Sequence, residues 1–445
     1  MSSSLSSRRV LPVLLLSAFL LLLPSISQPV AGDSLLGSLL SRLLRRAKDV
    51  ILPSGPSPLN AVLTTLHSCI LQRGSNRRVD PLLGDLRISP QSPYCSAACG
   101  RHTLCCPPQS LPDLRLRFIL FDLENRDHEI FLDASGESVD AEARSLLTSA
   151  PSVVWLIHGF WSDIFTNDIF NQTKDAYVTR RRVPVILVDW SDANKAYLQS
   201  LGNVRSVGAA VALLMDRLSL SGKSTCVGFS LGAHVCGEAG AWLTRRRGKQ
   251  RIAKCVGIDP AGPAFDGCLD AIRLDKNDCQ LVVGLHTSQF RDAVDVLSST
   301  AVGTKGHVGH CDFWANDGTT QPDCKVTLLS GSCSHSRGMD YFLSQVQQVC
   351  HFKGREAECG GGSACLLRET GTSNRVDESS LNVNGSFAPI GGWRVPGKIA
   401  SSSIAGDRQR SKGVPASMPV PPDDSCSPSD DVDYQFETST REPFC

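Results

Sequence analysis

Gly228-Phe229-Ser230-Leu231-Gly232 sets a serine between two glycines, after the apolar run Thr225 to Phe229 and before a stretch of helical spacing from Ala233 to Leu243. On a sharp strand-to-helix turn the serine hydroxyl is lifted clear of the sheet, and small flanking residues let the two backbone segments approach. The chemistry this suits is nucleophilic, and it needs a base to take the hydroxyl proton and a carboxylate to orient the base. Five residues alone recur by chance in a chain rich in Gly and Ser; the strand and helix on either side give the motif its weight.

Two aspartates end apolar runs: Asp189 after Val183 to Val188, and Asp259 after Lys254 to Ile258, where the chain turns through Pro260-Ala261-Gly262-Pro263. The chain order Ser, Asp, His of α/β-hydrolases favours Asp259, since Asp189 precedes the serine. Five histidines follow it: His286, His307, His310, His335 and His351. Position alone does not choose among them. His335 is favoured because it sits in a loop closing the short Cys324 to Cys333 segment, just before the helical run Met339 to Val349. The developing oxyanion needs preorganised N–H donors, one from the residue after the nucleophile and one from the loop after an earlier strand. Leu231 and Phe160, in Ile157-His158-Gly159-Phe160, have those positions.

Short apolar runs at Leu114 to Asp122, Val153 to Ile157, Val183 to Val188, Thr225 to Phe229 and Lys254 to Ile258 alternate with helical spacing at Val204 to Leu218 and after Ser230. Such alternation predicts an α/β class protein of the α/β-hydrolase fold, with a mostly parallel central sheet and helices on both faces. Ligands bind beyond the carboxyl ends of the strands in such sheets.

Arg8 and Arg9, the apolar run Val10 to Leu23 and small residues around Ala31 read as a secretory signal over 1–32. Eighteen cysteines behind it point to an oxidising, extracellular compartment with disulfides, and Asn171-Gln-Thr173 and Asn384-Gly-Ser386 are glycosylation sequons. Residues 33–113 form a Cys-containing extension that opens on a basic amphipathic helix; packing against the protein is favoured for that helix over lying on a lipid surface. The catalytic domain is read over 114–365, and 366–445 as a polar, largely disordered tail rich in Ser, Pro and Asp. A net charge of +1 excludes an overall basic footprint for nucleic acid. Arg245-Arg246-Arg247 reads as a solvated link between helix and strand.

The ordered motifs His158-Gly159-Phe160, Val188-Asp189-Trp190, the elbow through His234, Gly257-Ile258-Asp259-Pro260, Gly309-His310-Cys311-Asp312-Phe313 and Cys333-Ser334-His335 together resemble the pancreatic lipase family over about residues 114 to 352. The resemblance implies Ser230, Asp259 and His335 as triad, which decides among the histidines. It also implies a structural calcium loop at Asp270, Arg273, Asp275 and Asp278, with no cofactor required for the chemistry. A disulfide between Cys324 and Cys333 would bracket the lid, and only eight residues lie between them, as in invertebrate and phospholipase A1 members. Phe229 replaces the family's frequent His; lying outside the triad, it is not expected to bear on catalysis. A polar tail stands where the pancreatic enzyme has a β-sandwich, so colipase dependence is not expected. The function so implied is secreted lipid-ester hydrolysis at a lipid–water interface, by lipase or phospholipase A1 chemistry. The alternative is a non-catalytic lipid-binding or yolk-type protein on the same scaffold.

Overall fold

Val153–Ile157 and Val185–Asp189 are nearly unbroken apolar runs, each buried along its whole length. Strands read this way when helices cover both faces of a sheet. The computed structural model describes residues 79–86, 107–133, 136–160, 162, 168–248, 251–266, 272–289, 301–324, 333–349, 355–360, 363–367, 387–390, 393–396, 432–436 and 438. The segment 1–32, the expected amphipathic helix, Cys69, Cys95, Cys99, Cys105, Cys106 and Asn384 lie outside them.

In chain order the strands are β1 (Val79–Asp80), β2 (Gly84–Asp85), β3 (Arg117–Phe121), β4 (Asp127–Asp133), β5 (Gly136–Ser138), β6 (Val153–Ile157), β7 (Val185–Asp189), β8 (Ser224–Phe229), β9 (Ile252–Ile258), β10 (Cys279–His286), β11 (Cys311–Ala315), β12 (Arg355–Gly360), β13 (Ser363–Leu367), β14 (Phe387–Ile390), β15 (Trp393–Pro396) and β16 (Val432–Phe436). The α-helices are α1 (Leu111–Leu114), α2 (Ala141–Ser149), α3 (Asp168–Asp175), α4 (Tyr197–Arg217), α5 (Leu231–Arg247) and α6 (Cys333–Val346).

Among the described residues the main sheet is 12-stranded, in the order β13-β12-β16-β11-β10-β9-β8-β6-β7-β3-β4-β5. The run from β7 through β6, β8, β9, β10 and β11 to β16 is parallel. Antiparallel pairs close both sides, β3 against β7 and β12 against β16. Alternate residues of β6 serve opposite faces, as the pleat requires: Val153, Trp155 and Ile157 join the core under α4 and α5, Val154 and Leu156 the one under α6. Strand and helix thus alternate as the sequence predicts, with the parallel strands all delivering their carboxyl ends to one rim.

Three differences from the sequence reading have physical causes. The run Leu114 to Asp122 is shorter as a strand, because Leu111–Leu114 forms a helical turn ended by Arg115 in the left-handed region at φ 50°. The described part of the N-terminal extension packs into the main core: Leu83 and Leu86 are buried there, and the Leu83 carbonyl accepts from Trp242 Nε1 at 3.1 Å. The tail is not wholly without order, since Val432–Phe436 enters the sheet between β11 and β12. Val432, Tyr434 and Phe436 alternate with polar residues at strand period, a local pattern that the composition of the whole tail averages away.

The entering strand is fixed by polar contacts as well as by its ladder. Asp433 accepts from the indole N–H of the buried Trp314 at 2.9 Å, and Thr438 bonds Asn316 Nδ2 and the Tyr341 hydroxyl, each at 2.8 Å. Removing one partner of a buried bond leaves the other unsatisfied, at roughly 1–3 kcal/mol. Asp433→Ala is therefore expected to lower the unfolding free energy by that amount, read as a lower urea midpoint at an unchanged m-value. A midpoint equal to the parent's would show that the strand is not held through Trp314.

Candidate active site

Ser230 joins β8 to α5 with φ 57° and ψ −120°. A non-glycine residue in that region carries strain on the order of 1–3 kcal/mol and stays there only where its surroundings fix it. The Ser230 N–H donates to the Ile258 carbonyl at 3.0 Å, and the Ser230 carbonyl accepts from the Ala233 N–H at 3.1 Å. A Cβ at Gly228 would collide with the backbone of Gly232, so strand and helix pass too close for a side chain there. The disulfide Cys226–Cys236 ties the same two elements together.

One strand over, Asp259 ends β9 at φ 41° with no exposure to solvent. Its Oδ1 accepts from the N–H groups of Thr287 (2.7 Å) and Ser288 (3.0 Å), and its Oδ2 accepts from the Ser288 hydroxyl. The same Oδ2 lies 2.6 Å from Nδ1 of His335. Burial pushes the Asp259 carboxyl up, but the bond and charge of His335, with the Ser288 and Thr287 donors, outweigh it and hold the group below its ordinary range. A carboxylate only accepts, so His335 carries its proton on Nδ1 and leaves Nε2 with a lone pair.

The imidazole also lies beside the elbow, for the ring of Phe229 is 4.5 Å from it between centroids. Ser230 is 7% exposed, so the hydroxyl and its neighbours are sheltered but not sealed from a reactant. Among the described residues the Ser230 hydroxyl forms no hydrogen bond; nucleophile-to-base contacts in unliganded enzymes are commonly loose and tighten with substrate. His335 lies in the first turn of α6, not in a loop before it. Apolar periodicity misses that turn because Cys333 to Arg337 offers it no apolar stripe.

The other candidates have partners elsewhere. Asp189 lies 3.5 Å from Nε2 of the buried His158, and it too is held low, with desolvation outweighed by His158 and Ser191. His286 bonds Asp312 at 2.6 Å and stacks on Trp314. His307 lies 3.0 Å from Asp433, and Nδ1 of His310 accepts from the Val282 N–H at 2.9 Å. His351 is outside the described residues. His234 accepts from the Leu274 N–H and stacks on Phe265, and burial pushes its imidazole down to about 3.

The loop 158–160 runs along the nucleophile, since a Cβ on Gly159 would lie 2.7 Å from that of Ser230. It is pinned from two sides: Trp190 Nε1 donates to the His158 carbonyl (2.9 Å), and Asn194, which lies in none of the motifs, donates from Nδ2 to that of Gly159 (2.8 Å). The Phe160 ring meets Tyr197 edge-on at 5.1 Å. Leu231 opens α5, so the helix supplies its N–H with no carbonyl partner.

A family model described as Lipase matches residues 91–360. The chain belongs to the pancreatic lipase family. Pancreatic triacylglycerol lipase of Homo sapiens is 31% identical over 268 residues, 56% of this chain and 55% of the relative. Pancreatic lipase-related protein 2 is 32% identical over 271 residues in Homo sapiens, covering 56% of this chain and 55% of that one. In Cavia porcellus it is 32% identical over 250 residues, 54% of each chain. This lipase-family chain thus spans about half the length of the curated relatives it matches.

Cys324 and Cys333 are joined in a disulfide, and the residues between 324 and 333 lie outside the described set. Asn171 is on α3, where the Thr173 hydroxyl of its sequon donates to the Ile169 carbonyl at 2.7 Å. Of the residues expected to form a calcium loop, Asp270 is outside the described residues. Arg273 points a guanidinium N–H at the His307 carbonyl (2.7 Å), so only its main-chain oxygen suits a cation. Asp275 Oδ1 accepts from the Asn277 N–H and Asp278 Oδ2 from the Asp275 N–H, both at 2.9 Å. Among the described residues these do not form a three-ligand group, and no chemistry is routed through an ion.

Sequence reasoning missed Ser288, which lies 3.4 Å from His335 Nδ1 while donating to Asp259. It also missed Gln321, whose N–H donates to Ser334 Oγ (3.0 Å) and whose amide holds the carbonyls of Thr287 and Ala315 (2.9 and 2.8 Å). Neither lies in a motif that names a role.

A carboxyl held below its unfolded value of about 3.9 adds stability that is complete above that pH and lost as pH falls through the folded-state value. Asp259→Asn is thus expected to flatten the fall of unfolding free energy below about pH 4. Urea unfolding at stepped pH reads this directly; parallel slopes for parent and variant would contradict the cause given for the low carboxyl.

Proposed function

We propose that this chain is a secreted lipid-ester hydrolase that works through an acyl-enzyme on Ser230. The observation that carries the reading is the bond from His335 Nδ1 to the fully buried carboxylate of Asp259, at 2.6 Å, one strand over from a serine held at φ 57°. Nε2 of His335 takes the hydroxyl proton as Ser230 Oγ attacks the ester carbonyl. The N–H groups of Leu231 and Phe160 receive the oxyanion, whose charge grows as the tetrahedral species forms. His335 then returns the proton to the departing alcohol, and a water, deprotonated by the same nitrogen, releases the fatty acid.

Loss of one member of a cooperating triad removes most of the rate, so Ser230→Ala is expected to lower turnover of a soluble short-chain ester by roughly 10³-fold or more. A fluorophosphonate should label the parent at Ser230 and leave the variant unlabelled. An unlabelled parent would instead favour a lipid-binding protein without catalysis.

The substrate within the class follows from access. Only eight residues separate Cys324 from Cys333, where the family resemblance implies the lid, and a lid that short would leave room for a bulky charged headgroup. Phospholipid is the substrate favoured on this ground. Parallel assays on phosphatidylcholine vesicles and triolein emulsion are expected to show faster release of the sn-1 acyl chain from the former; preference for triolein would reject the phospholipase A1 assignment and leave the hydrolase intact.

A further inference from the structure

Among the described residues the polar anchoring of His335 is through one ring nitrogen. Its Nδ1 meets Asp259 at 2.6 Å, with Ser288 Oγ 3.4 Å away, and a ring held only there can still tip about that bond. Across its face lies Phe229, 4.5 Å between centroids and inclined by 33°. Phe229 is itself fixed: its backbone is opposite Ile258 in the β8–β9 ladder, and its ring lies 6.5 Å from that of the buried Phe170.

We propose that Phe229 is a positioning residue for the general base, its ring face holding the His335 imidazole in the working orientation and favouring the imidazolium formed during acyl transfer. The inference rests on the hydrolase reading and assigns a role to the residue that departs from the family's frequent His. An aromatic face carries negative charge density and attracts a cation within about 6 Å of its centroid. The neutral imidazole gains less from that face than the imidazolium does, so the gain is largest as the Ser230 proton arrives. A second imidazole here would instead add a titrating ring beside the base.

The charged surroundings leave this effect readable. From β9 the group facing His335 is Asp259; from the segment after β10 it is the uncharged Ser288; from β8 it is Phe229. On α6 itself the nearby charge is Arg337, whose guanidinium pairs with Asp340 at 3.3 Å.

The test compares Phe229→Leu and Phe229→Met, which keep apolar volume and lose the ring, with Phe229→Tyr, which keeps it. A fourth protein carries pentafluorophenylalanine at 229, keeping the shape and inverting the charge of the face. Rates of fluorophosphonate labelling at Ser230 are measured from pH 5 to 9, with kcat and KM on a soluble ester and thermal unfolding as the check on folding. Leu, Met and the fluorinated ring are expected to slow labelling and kcat about three- to tenfold, with KM little changed, and to move the acid-limb midpoint down by roughly half a pH unit. Tyr is expected to match the parent.

Parent-like rates and midpoints for the fluorinated protein would overturn the charge role, and parent-like behaviour of Leu and Met as well would overturn positioning altogether. Failure of the hydrolase reading looks different: the parent itself would not be labelled at Ser230.

Discussion

A carboxylate with no access to water has to be satisfied by the protein, and the arrangement around Asp259 follows from that requirement. Its two oxygens take the Thr287 and Ser288 amides, the Ser288 hydroxyl and the His335 imidazole. The first three come from the chain leaving β10, the last from α6, so one buried charge draws two separate elements to the end of β9. The backbone bond from Asp259 N–H to the Leu285 carbonyl, 2.6 Å, belongs to the same junction. Moving any one of these elements would leave an uncompensated charge in the core, a strong reason for the rim to hold a single shape.

The serine is held by a different kind of force. Nothing polar fixes its hydroxyl among the described residues; its backbone is fixed instead, by a strained dihedral locked between β8 and α5 and bonded to the end of β9. Strain in the turn and charge at the neighbouring strand thus meet at Ile258, whose carbonyl accepts from Ser230 and whose successor is Asp259. A sheet with parallel strands in the order β6, β8, β9, β10 makes this possible, because adjacent carboxyl ends lie about 4.8 Å apart in the hydrogen-bonding direction.

Much of this was legible in the sequence where periodicity and chain order coincide. The runs 153–157 and 254–258 are strands because apolar residues without alternation must be buried on both faces. Ser230 and Asp259 are readable because a tight turn and a strand end each leave a mark in residue type. His335 was harder: five histidines follow Asp259, and a histidine's partner is a matter of tertiary contact, as His286 with Asp312 shows. Ser288, Gln321 and Asn194 were beyond reach for the same reason, since a serine or amide that completes a buried network looks like any other. The contact of Phe229 with His335 was likewise out of reach, since triad logic counts hydrogen bonds and this is a contact between rings.

The strand at 432–436 stands between β11 and β12, although more than sixty residues of sequence separate it from the end of β13. Until that late segment arrives, β11 presents an open row of amides and carbonyls next to the half-built rim. Unpaired edges of this kind recruit foreign strands, and closing them over so long a stretch of chain is slow. Molecules caught at that stage are therefore exposed to edge-to-edge association, and a chaperone bound along β11 would protect them until the late strand is in place.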